Sequence, residues 1–218
     1  MEAVELASPP GPTPTPSQIP PVPSATWAPA LREFTEQFEA GAPYWTFAQA
    51  GDASQLADAR VEAGYLVFDL PAPNQWAYAI YEGQSYDDVR LDALVESGAD
   101  ATAASGLICR YNPGLGWYEF NIYPDGTYAL LFGQWLTDGV ARYIPLALDE
   151  SEAITPGLNE IGLVCEGDVL TPYINGIQIR KRQEKIHVLA EGRVGIAAAS
   201  FEMAPLRISY DWVSVGTP

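Results

Sequence analysis

Trp117, Glu119 and Asn121 occupy alternate positions in "GWYEFNI", and Arg110 precedes them in "SGLICRYN". If the two runs pair with residue 109 across from residue 118, period two places Arg110, Trp117, Glu119 and Asn121 on one sheet face. An indole beside a guanidinium, a carboxylate and an amide suits a sugar: the ring stacks on the apolar C–H side of a pyranose while planar polar groups take paired hydroxyls. Trp76, Tyr78, Tyr81, Trp135 and Tyr173 are further aromatics in strands or at loop ends, and they are candidates to line the same surface. The plainer reading is an ordinary solvated face on which Arg110 and Glu119 neutralise each other.

Hydrolytic chemistry needs more than this. A retaining glycosidase sets two carboxyl groups about 5 Å apart. No Glu-x-Asp-x-x-Glu run occurs; the nearest approaches are Asp92 with Glu96 in "RLDALVES" and the lone Glu119. The single histidine, His187, lies in a charged segment with no partner that would make a cysteine nucleophilic. These residues therefore predict a non-enzymatic protein with no required cofactor.

The elements that must position these side chains read as strand after strand. "SGLICRYNPGLGWYEFNIYPDGTYALLFG" at 105–133 and "NEIGLVCEGDVLTPYINGIQI" at 159–179 alternate apolar and polar residues around Pro-Asp-Gly, Glu-Gly-Asp and Asn-Gly turns. Further strands are expected at 33–39, 44–49, 60–69, 76–82, 86–96, 140–146, 193–199 and 206–215, and 169–181 is read as one strand. Only "DASQLADARVEA" at 52–63 suggests a helical turn. So many antiparallel strands in one open sheet would leave long edges, so two packed sheets are the physical solution.

The 218 residues include 28 acidic and 11 basic ones, a formal net charge of −17. Such a field repels phosphate backbones and anionic headgroups, which argues against nucleic acid and membrane surfaces as partners. No apolar run is long enough to span a bilayer. Residues 1–30 are dense in Pro, Ser and Thr, as in "PPGPTPTPSQIPPVPSATWAP", a composition for an extended stalk rather than a core. Residues 31–218 form the expected globular domain. A stalk of this kind points to an exported, extracellular or cell-surface protein.

The order of "YLVFDL", "SGLICRYN", the "WYEFNIYPDGTYAL" hairpin, the "NEIGLVCEGDVLTPYING" hairpin, "GRVGIAA" and a closing "RISYDWVSV" resembles the concanavalin A-like lectin/glucanase superfamily, over about residues 33–215. The likeness is to domains joined by Pro/Thr linkers to exported bacterial surface proteins. It implies a jelly roll of two curved antiparallel sheets, with ligand on the concave face or its rim. A related group of bacterial keto-sugar hydrolases shares the "SGLICR" type of strand, although their Asn-Gly opening strand is missing here. The resemblance also allows for a structural calcium site, with Asp69, Asp211 and "YDD" at 86–88 as candidates.

In that frame Leu107, Cys109, Tyr118, Phe120 and Ile122 share an apolar face, and Cys165 alternates with Ile161 and Leu163 on another. Cys109 and Cys165 then either pair inside the sandwich or remain two buried thiols. "RKRQEK" at 180–185 gathers four of the eleven basic residues, as a charge-guarded edge strand or a docking patch. The expected function is a carbohydrate-binding module acting through its concave face. The alternative is a structural or assembly module using that face to contact another surface-protein subunit.

Overall fold

A computed structural model describes residues 32–98 and 103–218; the proposed stalk at 1–30 lies outside the described residues. The described chain is all β. In chain order the strands are β1 Phe34–Glu36, β2 Trp45–Gly51, β3 Asp58–Glu62, β4 Tyr65–Leu70, β5 Gln75–Tyr86, β6 Val89–Ser97, β7 Ala103–Asn112 and β8 Gly116–Ile122. They continue as β9 Thr127–Thr137, β10 Val140–Glu150, β11 Leu158–Glu166, β12 Val169–Ile174, β13 Ile177–Gln178, β14 Arg182–Gln183, β15 Gly192–Ser200 and β16 Leu206–Gly216.

Every pairing is antiparallel, and the strands divide into two sheets. The nine-stranded sheet runs β13-β12-β11-β6-β16-β4-β3, with β1 also on β16 and β14 also on β12. The seven-stranded sheet runs β10-β9-β8-β7-β15-β5-β2. The helical turn expected within 52–63 is absent: residues 58–62 form β3, and Ala63-Gly64, both at positive φ, turn the chain into β4. The single strand expected over 60–69 is thus a hairpin. The strand expected over 169–181 likewise breaks at Asn175-Gly176, leaving β12 and β13.

Between the sheets lies the main core, to which Leu107, Cys109, Tyr118, Phe120 and Ile122 all belong, as the alternation predicts. The expected register holds, with Cys109 opposite Tyr118. Cys109 on β7 and Cys165 on β11 are disulfide-bonded with Cα atoms 6.7 Å apart, so the bridge ties one sheet to the other. Tyr210 is the polar counterpart of that tie. From β16 its hydroxyl accepts from Gly106 N at 2.9 Å and lies 2.8 Å from Ala197 O, fixing the offset of the two sheets with a fully satisfied buried group. The basic run does end at a sheet edge: Arg182–Gln183 pairs with β12.

Candidate functional site

Odd-numbered residues of β8 do not face open water. The seven-stranded sheet curls until its outer strands meet, with β2 against β10 and Gly51 N donating to Gly139 O at 3.1 Å. The face inside that curl becomes a second core of Tyr78, Ile80, Ile108, Trp117, Ala50 and Ala197, bordered by Trp76, Tyr111, Trp135 and Tyr143. Trp117 is completely buried at its centre, with the rings of Trp135, Tyr111, Tyr78 and Tyr143 at 5.3 to 5.9 Å. The sequence permits this crowding because Gly133 lies opposite Trp117 on β9: a Cβ there would come within 2.3 Å of the indole. Gly106 similarly leaves room for the Asn121 amide.

Glu119 and Asn121 keep the predicted face but are buried with Trp117. The Glu119 carboxyl receives Trp117 Nε1 at 2.8 Å, Asn121 Nδ2 at 2.7 Å and the Tyr143 hydroxyl at 3.0 Å. Tyr143 in turn shares a 2.6 Å hydrogen bond with the Tyr78 hydroxyl. Among the described residues no positive charge faces the group. Burial raises the Glu119 pKa above its ordinary 4.5 despite the opposing pull of its three donors.

Between the unfolded and the raised folded pKa, the folded state holds more protons, so stability falls as pH climbs from about 4.5 through the folded value. Glu119→Gln, which cannot ionise, is expected to abolish that fall. Denaturant midpoints of wild type and variant, compared across the window, check it.

Arg110 departs from the expected constellation. β7 carries a bulge: Gly195 pairs with Ile108 but Arg193 pairs with Tyr111, so Cys109 and Arg110 together oppose Val194. Arg110 takes φ of 52° and turns its side chain away from the concave face. Its guanidinium donates to Asp87 O at 2.8 Å, Gly167 O at 2.7 Å and Leu189 O at 2.9 Å, with the Asp88 carboxylate at 3.3 Å. It is a clamp on three loops. The extra residue also gives its place to Tyr111, which strict alternation puts with Cys109 but which joins Trp117 instead.

Of the other expected lining residues, Trp76, Tyr78 and Trp135 are on the concave side. Tyr81 is in the main core. Tyr173 belongs to the other sheet, on β12, beneath the Arg90 guanidinium at 4.8 Å. Asp69 is not free for a cation, since Arg60 at 2.6 Å and Arg207 at 2.8 and 3.0 Å occupy both its oxygens. Asp211 is on the outer face of the nine-stranded sheet. Among the described residues no group of three His, Cys, Asp or Glu side chains is placed to hold a metal.

The concave face opens at its two ends. On one side of the Gly51–Gly139 contact a cavity of about 600 Å³ is lined by Phe47, Leu56, Tyr111, Pro113, Trp135 and Asp138. On the other a smaller one of about 120 Å³ is lined by Trp76, Val140, Ala141 and Tyr143. Trp135 Nε1 donates to the Tyr111 hydroxyl at 2.9 Å, which holds both rings at the larger mouth. Tyr143 spans from the smaller mouth to Glu119. Sequence reasoning missed Tyr111, Tyr143 and Phe47; only Tyr143 left a signal, in the alternation of Ala141 and Tyr143 along β10.

No family model matches the chain, and no curated relative does. Solved structures do match. The carbohydrate-binding module CBM66 from Bacillus subtilis is 12% identical with a TM-score of 0.54, covering 77% of this chain and 91% of that one. The Bacillus licheniformis β-glucanase is 14% identical with a TM-score of 0.57, covering 85% and 98%. A Bacillus subtilis protein of unknown function with a galectin-like fold reaches 0.62 at 11% identity, covering 84% and 94%. The fold is the concanavalin A-like jelly roll. This likeness of fold corrects one expectation: the reading that this chain is no enzyme is overturned, because β-glucanases and lichenases make up most of the similar structures and share this architecture. The absence of a Glu-x-Asp-x-x-Glu run is too narrow a criterion to assign a jelly roll to either side of that line.

Proposed function

We propose that this jelly roll is a saccharide-recognising domain of an exported protein, holding a neutral glycan at the larger mouth of its concave face. The observation that carries the reading is the aromatic pair of Tyr111 and Trp135, braced from beneath by the sealed Trp117 cluster, with Phe47 at the edge of the same cavity of about 600 Å³. Preset rings lose little side-chain entropy on binding, and their faces suit the apolar side of a pyranose. Asp138 at the rim accepts hydroxyls, and the formal charge of −17 turns acidic glycans away. Export is supported by the Cys109–Cys165 disulfide, which persists in oxidising compartments.

The test is titration of the intact chain with neutral polysaccharides by calorimetry. Trp135→Ala and Phe47→Ala are expected to lower affinity about tenfold or more, or about 1.4 kcal/mol each. Affinities unchanged in both, or no neutral glycan bound, would reject the site.

A second reading, hydrolysis of a glycan entering at the smaller mouth, is favoured by Glu119. Burial shifts the Glu119 carboxyl toward the protonated form that a general acid requires, and Tyr143 links it to the smaller mouth. Asn121 stands where a second carboxylate on the same face of the strand would be. The Glu119→Gln variant already described reads this out: loss of reducing-end release from β-glucan supports it, and undiminished release or none in wild type dismisses it.

A further inference from the structure

The outer face of the nine-stranded sheet carries its own aromatic, and the way it is placed is unusual. Along β16 the residues Leu206, Ile208 and Tyr210 point into the main core at intervals of two, but the next core residue is Val213. The register against β6 slips at that point, with Tyr210 opposite Val95 and Trp212 opposite Leu94. The bulge therefore sends two successive side chains, Asp211 and Trp212, out of the same face.

Trp212 stands half-exposed between two shallow grooves. The first, of about 380 Å³, is lined by Gln37, Arg90, Asp92, Glu160 and Ser214 as well as Trp212. The second, of about 280 Å³, is lined by Gln37, Glu39, Tyr65 and Asp211 on the other side of the same ring. Gln37 belongs to both. In the first groove the polar groups are already oriented: Arg90 makes a two-point contact with Asp92 at 2.7 and 2.8 Å, and Thr35 and Ser214 hydroxyls lie 3.1 Å apart. Glu39 and Asp211 have no ion pair among the described residues.

We propose that this face is a second saccharide site, with Trp212 as the platform between two sugar units of a neutral chain. Planar donor–acceptor pairs, an amide and hydroxyls beside an indole are the groups that read the vicinal hydroxyls of a sugar. Four carboxylates against one guanidinium that is already paired exclude an acidic saccharide. The site is on the sheet opposite the concave mouth and does not depend on it. Two sites on opposite faces would let one domain hold two chains, or one chain twice, with avidity beyond either site alone.

The experiment uses a chain carrying both Trp135→Ala and Phe47→Ala, so that the concave mouth is weakened at both of its tested residues, titrated with neutral gluco-, manno- and xylo-oligosaccharides. Oligogalacturonate and an amine-bearing glucosamine oligomer serve as comparisons. Binding is followed by calorimetry and by the indole N–H resonances in ¹⁵N spectra. Residual binding of a neutral oligomer is expected, with the Trp212 indole signal shifting and affinity falling about tenfold or more on adding Trp212→Ala or Gln37→Ala. Gln37 is exposed, so its variant keeps the test sharp if Trp212→Ala fails to fold. Residual binding indifferent to both variants, no binding at all, or binding confined to the charged oligomers would overturn the proposal.

Discussion

Arg110→Met is expected to destabilise this domain by about 3–5 kcal/mol, because the substitution removes three charge-assisted hydrogen bonds at once and leaves the buried Leu189 carbonyl without its donor. The guanidinium is 3% exposed and serves Asp87 O, Gly167 O and Leu189 O. These carbonyls sit in the β5–β6 turn, the β11–β12 turn and the approach to β15, so one side chain closes an end of the sandwich to water. Each unsatisfied buried carbonyl costs about 1–3 kcal/mol, and partial hydration as the loops loosen keeps the total below the simple sum. Lysine should restore less than half, since a compact ammonium cannot reproduce the planar fork. The φ of 52° gives no offset, because methionine meets the same Cβ strain there as arginine. Denaturant midpoints give the energy, and hydrogen exchange should show protection lost in those three loops first. A variant within about 1 kcal/mol of wild type would mean the clamp is not formed in solution.

Reduction of the Cys109–Cys165 bond is the second large effect. The bridge closes a loop of 56 residues, and the chain-entropy relation gives about 4 kcal/mol for a crosslink of that span. For a domain of this size that corresponds to a fall in Tm of roughly 8–16 °C. The double variant Cys109→Ala with Cys165→Ala should fall at least as far, because it also removes two sulfurs from a close-packed core. Thermal unfolding with and without reductant checks both. Equal melting temperatures would show that the thiols are already free.

The two effects share a cause. The covalent bridge is on the core side of β7, and the very next residue is the bulged Arg110. One strand thus supplies a crosslink between sheets and a clamp on the loops at their end, and its bulge still returns Tyr111 to the concave side. The concave cluster depends on that return, because Tyr111 fixes Trp135 at the larger mouth through the 2.9 Å hydrogen bond.

Alternation alone determined a good deal. It identified the hairpins, assigned Leu107, Phe120 and Ile122 to one apolar face with Cys109 once residue 109 is set across from residue 118, and put Cys165 on an apolar face of its own. These are local properties, because a period of two ties each side chain to its neighbours. Whether Trp117, Glu119 and Asn121 would meet water was settled elsewhere, by a sheet that curls until β2 reaches β10. Curvature accumulates over seven strands through twist and bulges, and no short run of residues encodes it. The bulge at Arg110 likewise shifts the phase by one residue, exchanging Arg110 for Tyr111 on the concave face. Sequence pattern chose the side of the sheet for each residue; the tertiary fold decided which sides stay open.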